Sequence, residues 1–204
     1  SSTNSAIVAG TLNTITSSVQ AFIGVGATNL IQTSSTHCAI VTGSDNNVTS
    51  AFQAFIGTGE MNDIVSSTRA FIGAGQLNII QTSSTNSAIV AGYANVMTSS
   101  TETFLGSGQT NIISSSIQAF IGTGQENSVL STTRGFIGTG QLNVIQTAST
   151  NSAIVSGYAN IITSSAQAFV GAGESNIIQT TSTNSAIVSG RANTITSSIQ
   201  AFIG

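Results

Sequence analysis

One histidine and one cysteine are adjacent in this chain. Imidazole and thiol groups are the most readily reactive of its side chains. His37 and Cys38 are each the single residue of their kind among 204. A thiol beside an imidazole suggests a nucleophile or half of a metal site, but both need a further ligand or an orienting group. Where the surrounding sequence recurs, the same positions hold Asn and Ser, as in Asn86 and Ser87. We interpret the pair as variation at turn positions, without catalytic function.

The carboxylates could form an acid/base pair or a calcium site. They are Glu60, Asp63, Glu102, Glu126 and Glu174, with Asp45 as a further calcium candidate. Acid/base catalysis needs carboxyl groups positioned in a cleft that shifts their pKa values, whereas Glu60, Glu126 and Glu174 fall in a predicted outward-facing turn. The Asp-rich glycine nonapeptide of calcium-binding β-rolls is absent. We therefore predict that the protein is not an enzyme and has no metal site and no cofactor.

A repeat in the sequence determines the strands and turns that position these residues. A glycine is followed three residues later by an asparagine twelve times, at intervals of 16 or 17 residues, and an apolar residue stands two positions after each asparagine. The asparagines are Asn13, Asn29, Asn46, Asn62, Asn78, Asn95, Asn111, Asn127, Asn143, Asn160, Asn176 and Asn193. The glycines predicted to form tight turns include Gly26, Gly59, Gly75, Gly108, Gly124, Gly140 and Gly173. This period indicates one supersecondary unit copied along an axis. Residues 1–204 are therefore predicted to be a single repeat-built segment of a longer fibrous chain.

Short β-branched runs predict strands rather than helices. Each repeat holds two such runs, for example at residues 119–122 and 111–114, and a glycine in every repeat would cost a helix roughly 1 kcal/mol each. The predicted fold is all-β, a parallel β-solenoid (β-roll or β-helix) of about 12 coils of 16–17 residues. With strands about 4.8 Å apart, the coils would make a rod roughly 58 Å long. The twelve asparagines are predicted to stack as a ladder, each side chain bridging equivalent groups above and below.

Two kinds of repeat differ at the residue before the Ile-type position. Phenylalanine stands there at Phe22, Phe55, Phe71, Phe104, Phe120, Phe136, Phe169 and Phe202, and alanine at Ala6, Ala39, Ala88, Ala153 and Ala186. We interpret the phenylalanines as a core stripe. The four complete Ala repeats hold one extra residue, preceded by Gln32, Gln81, Gln146 or Gln179. A small inward residue with a longer path around the corner would keep the interior filled.

Adjacent apolar residues in the predicted strands indicate self-association. Neighbours in a strand point to opposite faces, so pairs such as Phe22-Ile23 and Ile112-Ile113 place apolar side chains on both sides. One side can fill the interior of a coil, whereas the other would leave an apolar stripe that is abnormal for a soluble monomer. We therefore predict self-association, with a parallel homotrimer preferred.

The composition argues against several partners. Charged residues are 4% of the chain and the formal net charge is −3, so the basic surface that nucleic-acid binding requires is missing. No run approaches eighteen apolar residues, so no membrane insertion is predicted. Gly-x-Gly triplets such as Gly24 to Gly26 belong to the repeat and not to a strand-loop-helix unit, which removes the phosphate-binding interpretation.

Two stretches resemble known fibrous surface proteins. Residues 85–92 and 118–127 resemble the short repeats of chlorovirus-type surface glycoproteins and related giant-virus fibre proteins. They are also similar to the Asn-Ser-Val-Ala-Ile-Gly repeat of trimeric autotransporter adhesin heads, which wind as left-handed parallel β-rolls. The resemblance implies an extracellular or virion-surface location, a trimeric rod, and neighbouring fibre, capsid or surface proteins as partners. It also implies possible glycosylation, for which Asn47 in Asn47-Val48-Thr49 is the single N-linked acceptor.

These observations favour a structural fibre, stalk or adhesive protein without catalytic activity. The alternative is a ligand-binding solenoid that recognises ice or carbohydrate. Ice binding needs a uniform lattice of threonines, and the positions that flank the invariant apolar residue hold Thr14 and Thr16 in one repeat but Asp63 and Val65 in another. This unevenness disfavours ice binding.

Overall fold

A computed structural model describes residues 2–204, which form two compact units. The first unit extends to Ser100 and the second is Thr101–Gly204. Within the described residues every regular element is a short β-strand and there is no helix. The all-β parallel β-solenoid is confirmed, with about 12 turns and two strands per turn.

The first unit contains twelve strands in two parallel sheets. They are β1 (Ala6–Ile7), β2 (Thr14–Ile15), β3 (Phe22–Ala27), β4 (Leu30–Gln32), β5 (Ala39–Ser44), β6 (Asn47–Thr49), β7 (Phe55–Ile56), β8 (Asp63–Val65), β9 (Thr68–Ile72), β10 (Ile79–Gln81), β11 (Thr85–Ile89) and β12 (Val96–Thr98). Odd-numbered strands pair in the order β1-β3-β5-β7-β9-β11, and even-numbered strands pair in the order β2-β4-β6-β8-β10-β12.

The second unit repeats this arrangement. Its strands are β13 (Phe104–Leu105), β14 (Ile112–Ser114), β15 (Phe120–Ile121), β16 (Ser128–Leu130), β17 (Phe136–Ile137), β18 (Val144–Gln146), β19 (Ala153–Ile154), β20 (Ile161–Thr163), β21 (Phe169–Val170), β22 (Ile177–Gln179), β23 (Ala186–Ile187), β24 (Thr194–Thr196) and β25 (Phe202–Ile203). Odd strands again pair with odd and even with even.

The strand register follows the repeat in both units. Ile40 pairs with Ile56 on the odd sheet, and Ile145 pairs with Ile162 on the even sheet. Partners are therefore one repeat apart, 16 residues in the first case and 17 in the second. Equivalent positions stack directly along each unit, as the repeat predicted.

The interior of a coil is narrow and has five inward positions. In one coil these are Asn160, Ile162, Ser165, Ala168 and Val170, each at most 2% exposed. The invariant apolar position predicted from the sequence is inward throughout, since its residues from Ile31 to Ile195 are at most 4% exposed. The core is thus a column of aliphatic side chains between columns of asparagine and serine.

The prediction that the phenylalanines form a core stripe is wrong. Phe22, Phe55, Phe71, Phe104, Phe136, Phe169 and Phe202 are 36–70% exposed and Phe120 is half-buried. The residue after each one from Phe22 to Phe169 is buried instead, as are Ile23 and Ile121, and Ile203 after the terminal Phe202 is half-buried. An Ile-type residue follows both Phe and Ala. Turning this residue inward therefore keeps the interior volume constant from coil to coil. Alternating inward Phe and Ala would leave voids that a close-packed core does not tolerate.

The proposed link between an inward alanine and a longer coil is wrong for the same reason. Ala39, Ala88, Ala153 and Ala186 are half-exposed on the outer surface. The extra residue lies in the corner after the even strand, where two successive residues have positive φ, for example Thr147 and Ala148 at 55° each. A 16-residue coil has a single such residue there, as at Ser131. The insertion is therefore accommodated locally by one more left-handed residue.

Residues 2–204 include no helix with the length and apolar character needed to cross a lipid bilayer.

Candidate functional site

The asparagine column is the most highly organised polar feature of both units. Asn46 donates from its backbone N and from Nδ2 to Oδ1 of Asn29, at 3.2 and 3.0 Å. Its Nδ2 also donates to the Gly59 carbonyl oxygen in the next coil at 2.9 Å. Its own Oδ1 accepts the same pair of hydrogen bonds from Asn62. Each carboxamide thus connects the coil before it with the coil after it, which confirms the predicted ladder.

The second unit contains the same column. Asn127 donates to Oδ1 of Asn111 and to the Gly140 carbonyl oxygen, and Asn143 donates to Oδ1 of Asn127. The ladder asparagines from Asn29 to Asn176 are 0% exposed, and the terminal Asn13 and Asn193 are half-buried. A buried amide that forms all its hydrogen bonds avoids the cost of desolvation without a partner. The column therefore specifies the register of stacking as well as stabilising it.

The turn glycines are required by this geometry. Gly59 has φ of +122°, and a Cβ placed on it would overlap the Gly75 carbonyl oxygen and lie 2.7 Å from Asn62 Nδ2. All seven predicted turn glycines have positive φ, which confirms their role. The residue immediately before each ladder asparagine has a positive φ, as Met61 does at 53°. A side chain at the glycine would push away the carbonyl that the asparagine binds.

A second polar column was missed by the sequence analysis. Ser116 Oγ donates to the Ser114 and Val129 carbonyl oxygens at 2.8 and 3.3 Å and accepts from the backbone N of Thr132 at 3.2 Å. Ser35 and Ser149 hold equivalent places and accept from the backbone N one coil later. The signal was a serine five or six residues after most ladder asparagines, replaced by Ala51 and Thr132 in two coils and hidden in tracts that contain several serines and threonines.

His37 and Cys38 point in opposite directions. His37 is exposed in a left-handed corner, where its ring meets Phe52 edge-on at 5.6 Å. Cys38 is buried, and its Sγ–H donates to the carbonyl oxygens of Thr36 and Ala51 at 3.3 and 3.4 Å. Burial raises the pKa of the Cys38 thiol, an effect that backbone hydrogen bonds partly offset. The pair shares no chemistry, and Cys38 is a core position rather than a turn position.

The carboxylates are dispersed over the surface. Glu60 accepts from Gln76 Nε2 at 3.1 Å, Glu102 accepts from Gln118 Nε2 at 2.9 Å, and Arg191 lies 3.5 Å from Glu174. Glu126 is exposed in its turn, as predicted. Residues 2–204 bring no three His, Cys, Asp or Glu side chains together, and no pocket opens among them. The calcium candidates Asp45, Glu60 and Asp63 therefore do not form a cluster.

Asp63 and Asn47 are neighbours on the outer side of the even sheet. They pair in register on β8 and β6, and both are half-buried. Burial raises the pKa of the Asp63 carboxyl, and a hydrogen bond from the Asn47 side chain lowers it in part. Asn47 Oδ1 also accepts from Thr49 Oγ1 at 2.8 Å. The predicted glycosylation acceptor is thus held within a strand, and its use stays a prediction.

The chain matches no protein-family model, and a comparison with curated proteins returns no significant match.

Proposed function

We propose that the chain is a structural fibre or stalk, or an adhesive segment of a surface protein, and that it has no catalytic activity. The supporting observation is the asparagine column. Asn46, Asn62 and Asn78 each bond the coil before and the coil after with distances of 2.9–3.1 Å. Fully bonded buried amides, repeated in every coil, provide a stiff array that no local reaction site interrupts. The function is then carried by the scaffold itself.

We propose an extracellular or virion-surface location, where the chain self-associates as a homotrimer and meets neighbouring fibre, capsid or surface proteins. Support comes from the resemblance to repetitive surface proteins and from large apolar side chains on the outer faces, among them Phe136, Val155 and Phe169 at 39–42% exposure. Rows of exposed apolar residues on soluble proteins usually mark interaction surfaces.

Native mass spectrometry of the purified chain at micromolar concentration tests the assembly. The expected species has three times the 20.5 kDa of one chain. A soluble single-chain species across the concentration range would contradict self-association.

Antibodies raised against the chain test location: they should label intact particles or intact cells that carry the protein without permeabilisation. Labelling only after permeabilisation would contradict a surface role.

One observation favours carbohydrate recognition as a second candidate function. In the second unit Gln109, Gln125, Gln141, Tyr158 and Glu174 occupy one column in consecutive coils, linked by isolated β-bridges. Tyr158 is 46% exposed, and it stands among amide and carboxylate groups that can bond sugar hydroxyls. A glycan array with the wild-type chain and a Tyr158→Ala variant tests this: binding that Tyr158→Ala loses would support it, and absence of any glycan signal would contradict it.

A further inference from the structure

The outer face of the odd sheet follows a rule that couples two positions in each coil. Where the first position is phenylalanine, glycine stands two residues later, as in Phe120 and Gly122. Where the first position is alanine, valine stands there, as in Ala153 and Val155. Every repeat of the chain obeys this rule. We call this outer surface the phenylalanine face; in the second unit it comprises Phe104, Phe120, Phe136, Val155, Phe169, Val188 and Phe202.

The geometry explains the coupling. A Cβ on Gly122 would overlap the Gly138 carbonyl oxygen in the next coil and lie 3.3 Å from Cε1 of the Phe120 ring, which lies along its strand, so both the backbone and the ring require glycine there. The Phe120 ring centroid is 5.3 Å from that of Phe104 and 5.1 Å from that of Phe136, with the planes within 8° of parallel. In the alanine coils a valine occupies the place that the ring would cover. Each coil therefore covers its outer surface with one apolar group, either a ring or an isopropyl group.

The face has the anatomy of a protein interface. In the second unit the strands and the residue after each one, at 104–106, 120–122, 136–138, 153–155, 169–171, 186–188 and 202–204, include no charged or hydrogen-bonding side chain. Polar residues border one side, among them Glu102, Gln118 and Arg134, which lie two positions before the phenylalanines and are exposed. An apolar centre bordered by polar residues is typical of surfaces that bind another protein.

Resting on the self-association in the proposed function, we propose that the phenylalanine face is where a second copy of this chain packs. The rings and valines recur once per coil, and a second copy carries apolar groups at the same spacing, so the two rows can interdigitate as in packed sheets. A glycan or nucleic acid would find no donor, acceptor or cation there. A bilayer-binding face would carry basic residues and tryptophan, and the chain has three arginines and no tryptophan.

The available area fits a second copy. In the second unit the phenylalanines and valines of the face that are more than a third exposed range from 37% to 70%. With about 200 Å² for each aromatic side chain, the face of this unit exposes on the order of 500 Å² of apolar surface. One partner in a standard interface contributes about 800 Å², of which about 65% is apolar in homodimers, so the apolar area of this face is about what a second copy would cover. The first unit has a face of the same kind, on which Phe22, Val41, Phe55, Phe71 and Val90 are 36–42% exposed.

Charge placed on the face tests the proposal. The variant Val155→Glu/Val188→Glu puts two carboxylates on outward positions, which a single chain tolerates and a packed face does not. Ile117→Glu is the matched control, because Ile117 is 50% exposed but lies in a corner outside the face. By native mass spectrometry the double variant should associate at least tenfold more weakly than wild type, and the control should match wild type. Circular dichroism establishes that each variant is folded.

Three outcomes separate this inference from the proposed function. If wild type is a single chain, both the self-association and the face are wrong. If wild type associates and the folded double variant associates equally well, copies meet elsewhere and only this inference fails. If Ile117→Glu weakens association as much as the double variant, the phenylalanine face has no special part and the inference is again overturned.

Carbene footprinting of the wild-type chain gives a readout that needs no variant to fold. Phe136 and Ile117 are 40% and 50% exposed in the single chain. Packing of copies through the phenylalanine face should suppress labelling of Phe136 and leave Ile117 labelled, and dilution to single chains should restore Phe136. Comparable labelling of the two residues in the assembled protein would overturn the proposal.

Discussion

At the scale of single residues, the carboxamide of asparagine suits the column because it donates and accepts at the same time. Asn127 Nδ2 donates to Asn111 Oδ1 and to the Gly140 carbonyl oxygen, and its Oδ1 accepts from Asn143. A serine hydroxyl would be too short for this pattern, and a carboxylate has no proton to donate. The side chain therefore follows from the hydrogen-bond requirements of a stacked corner.

Asn127→Asp should destabilise the chain strongly. The carboxylate would be buried against two oxygen acceptors with no hydrogen to give, so we expect a loss of at least about 2 kcal/mol in the free energy of unfolding. Urea denaturation followed by circular dichroism measures it. The adjacent Glu126→Gln is the control, since Glu126 is exposed and surface changes stay within about 0.5 kcal/mol. Equal midpoints for the two variants would contradict the role of the column.

Thr132 and Gly135 form a compensating pair in the core. Thr132 occupies the position of the serine column, its Oγ1 has no hydrogen-bond partner, and a Cβ on Gly135 would lie 2.7 Å from that oxygen and 2.7 Å from Val129 Cγ1. Gly135→Ala should destabilise wild type by about 1–3 kcal/mol through overpacking. In the Thr132→Ser background the same change should cost less, because a serine can turn its hydroxyl to a backbone carbonyl as Ser116 does toward Ser114, which leaves only the contact with Val129. A double-mutant cycle in urea measures the coupling, and additive effects would contradict it.

Asp63 should make stability depend on pH. Burial raises the pKa of its carboxyl in the folded chain, so the protonated form is favoured there relative to the unfolded chain. The resulting stability is complete below the unfolded pKa and is lost as pH rises through the folded pKa. Asp63→Asn removes this pH-dependent loss of stability. The Tm advantage of the variant over wild type should therefore increase as the pH rises from 3 to 7. An advantage that is constant or shrinks over this range would show that Asp63 is not the cause.

At the scale of the element, a corner adapts to one extra residue without changing the strands. In the 17-residue coil Ser149 Oγ donates to Gln146 O, three residues back, at 2.6 Å. In 16-residue coils the equivalent bond spans two residues, as from Ser165 to Thr163 at 2.9 Å. The serine thus keeps the same kind of bond to the end of the even strand, and the left-handed residues between them absorb the difference in length.

Deleting Ala148 should therefore be tolerated. The deletion leaves Thr147 as the single left-handed residue of the corner and restores the 16-residue spacing found in most coils. We expect a change in Tm of a few degrees or less. Deleting Val144 is the contrasting variant, because it shifts the register of β18 by one residue and turns inward side chains outward. Thermal melts compare the two, and similar losses from both deletions would contradict local adaptation of the corner.

At the scale of the whole molecule, the sequence determined the all-β parallel solenoid because Gly59 and Asn62, and their eleven counterparts, recur with a period that only stacked coils explain. It did not determine which of two adjacent apolar residues faces inward. Phe120 and Ile121 fit a strand equally well, and the choice depends on the space between two sheets, which no single repeat reveals. The serine column was obscured by neighbouring hydroxyl residues. That residues 1–204 form one segment, and that copies form a trimer, stay predictions.

Side-chain amide exchange measures the central feature, the stacking of coils through buried asparagine carboxamides, most directly. In a chain labelled with ¹⁵N-asparagine, the Nδ2 hydrogens of the ladder residues from Asn29 to Asn176 should exchange with D₂O at least a hundredfold more slowly than those of the exposed Asn86, Asn151 and Asn184. Exchange of the ladder amides at the rate of these three would mean that the carboxamides are open to solvent, and the stacked column would be wrong.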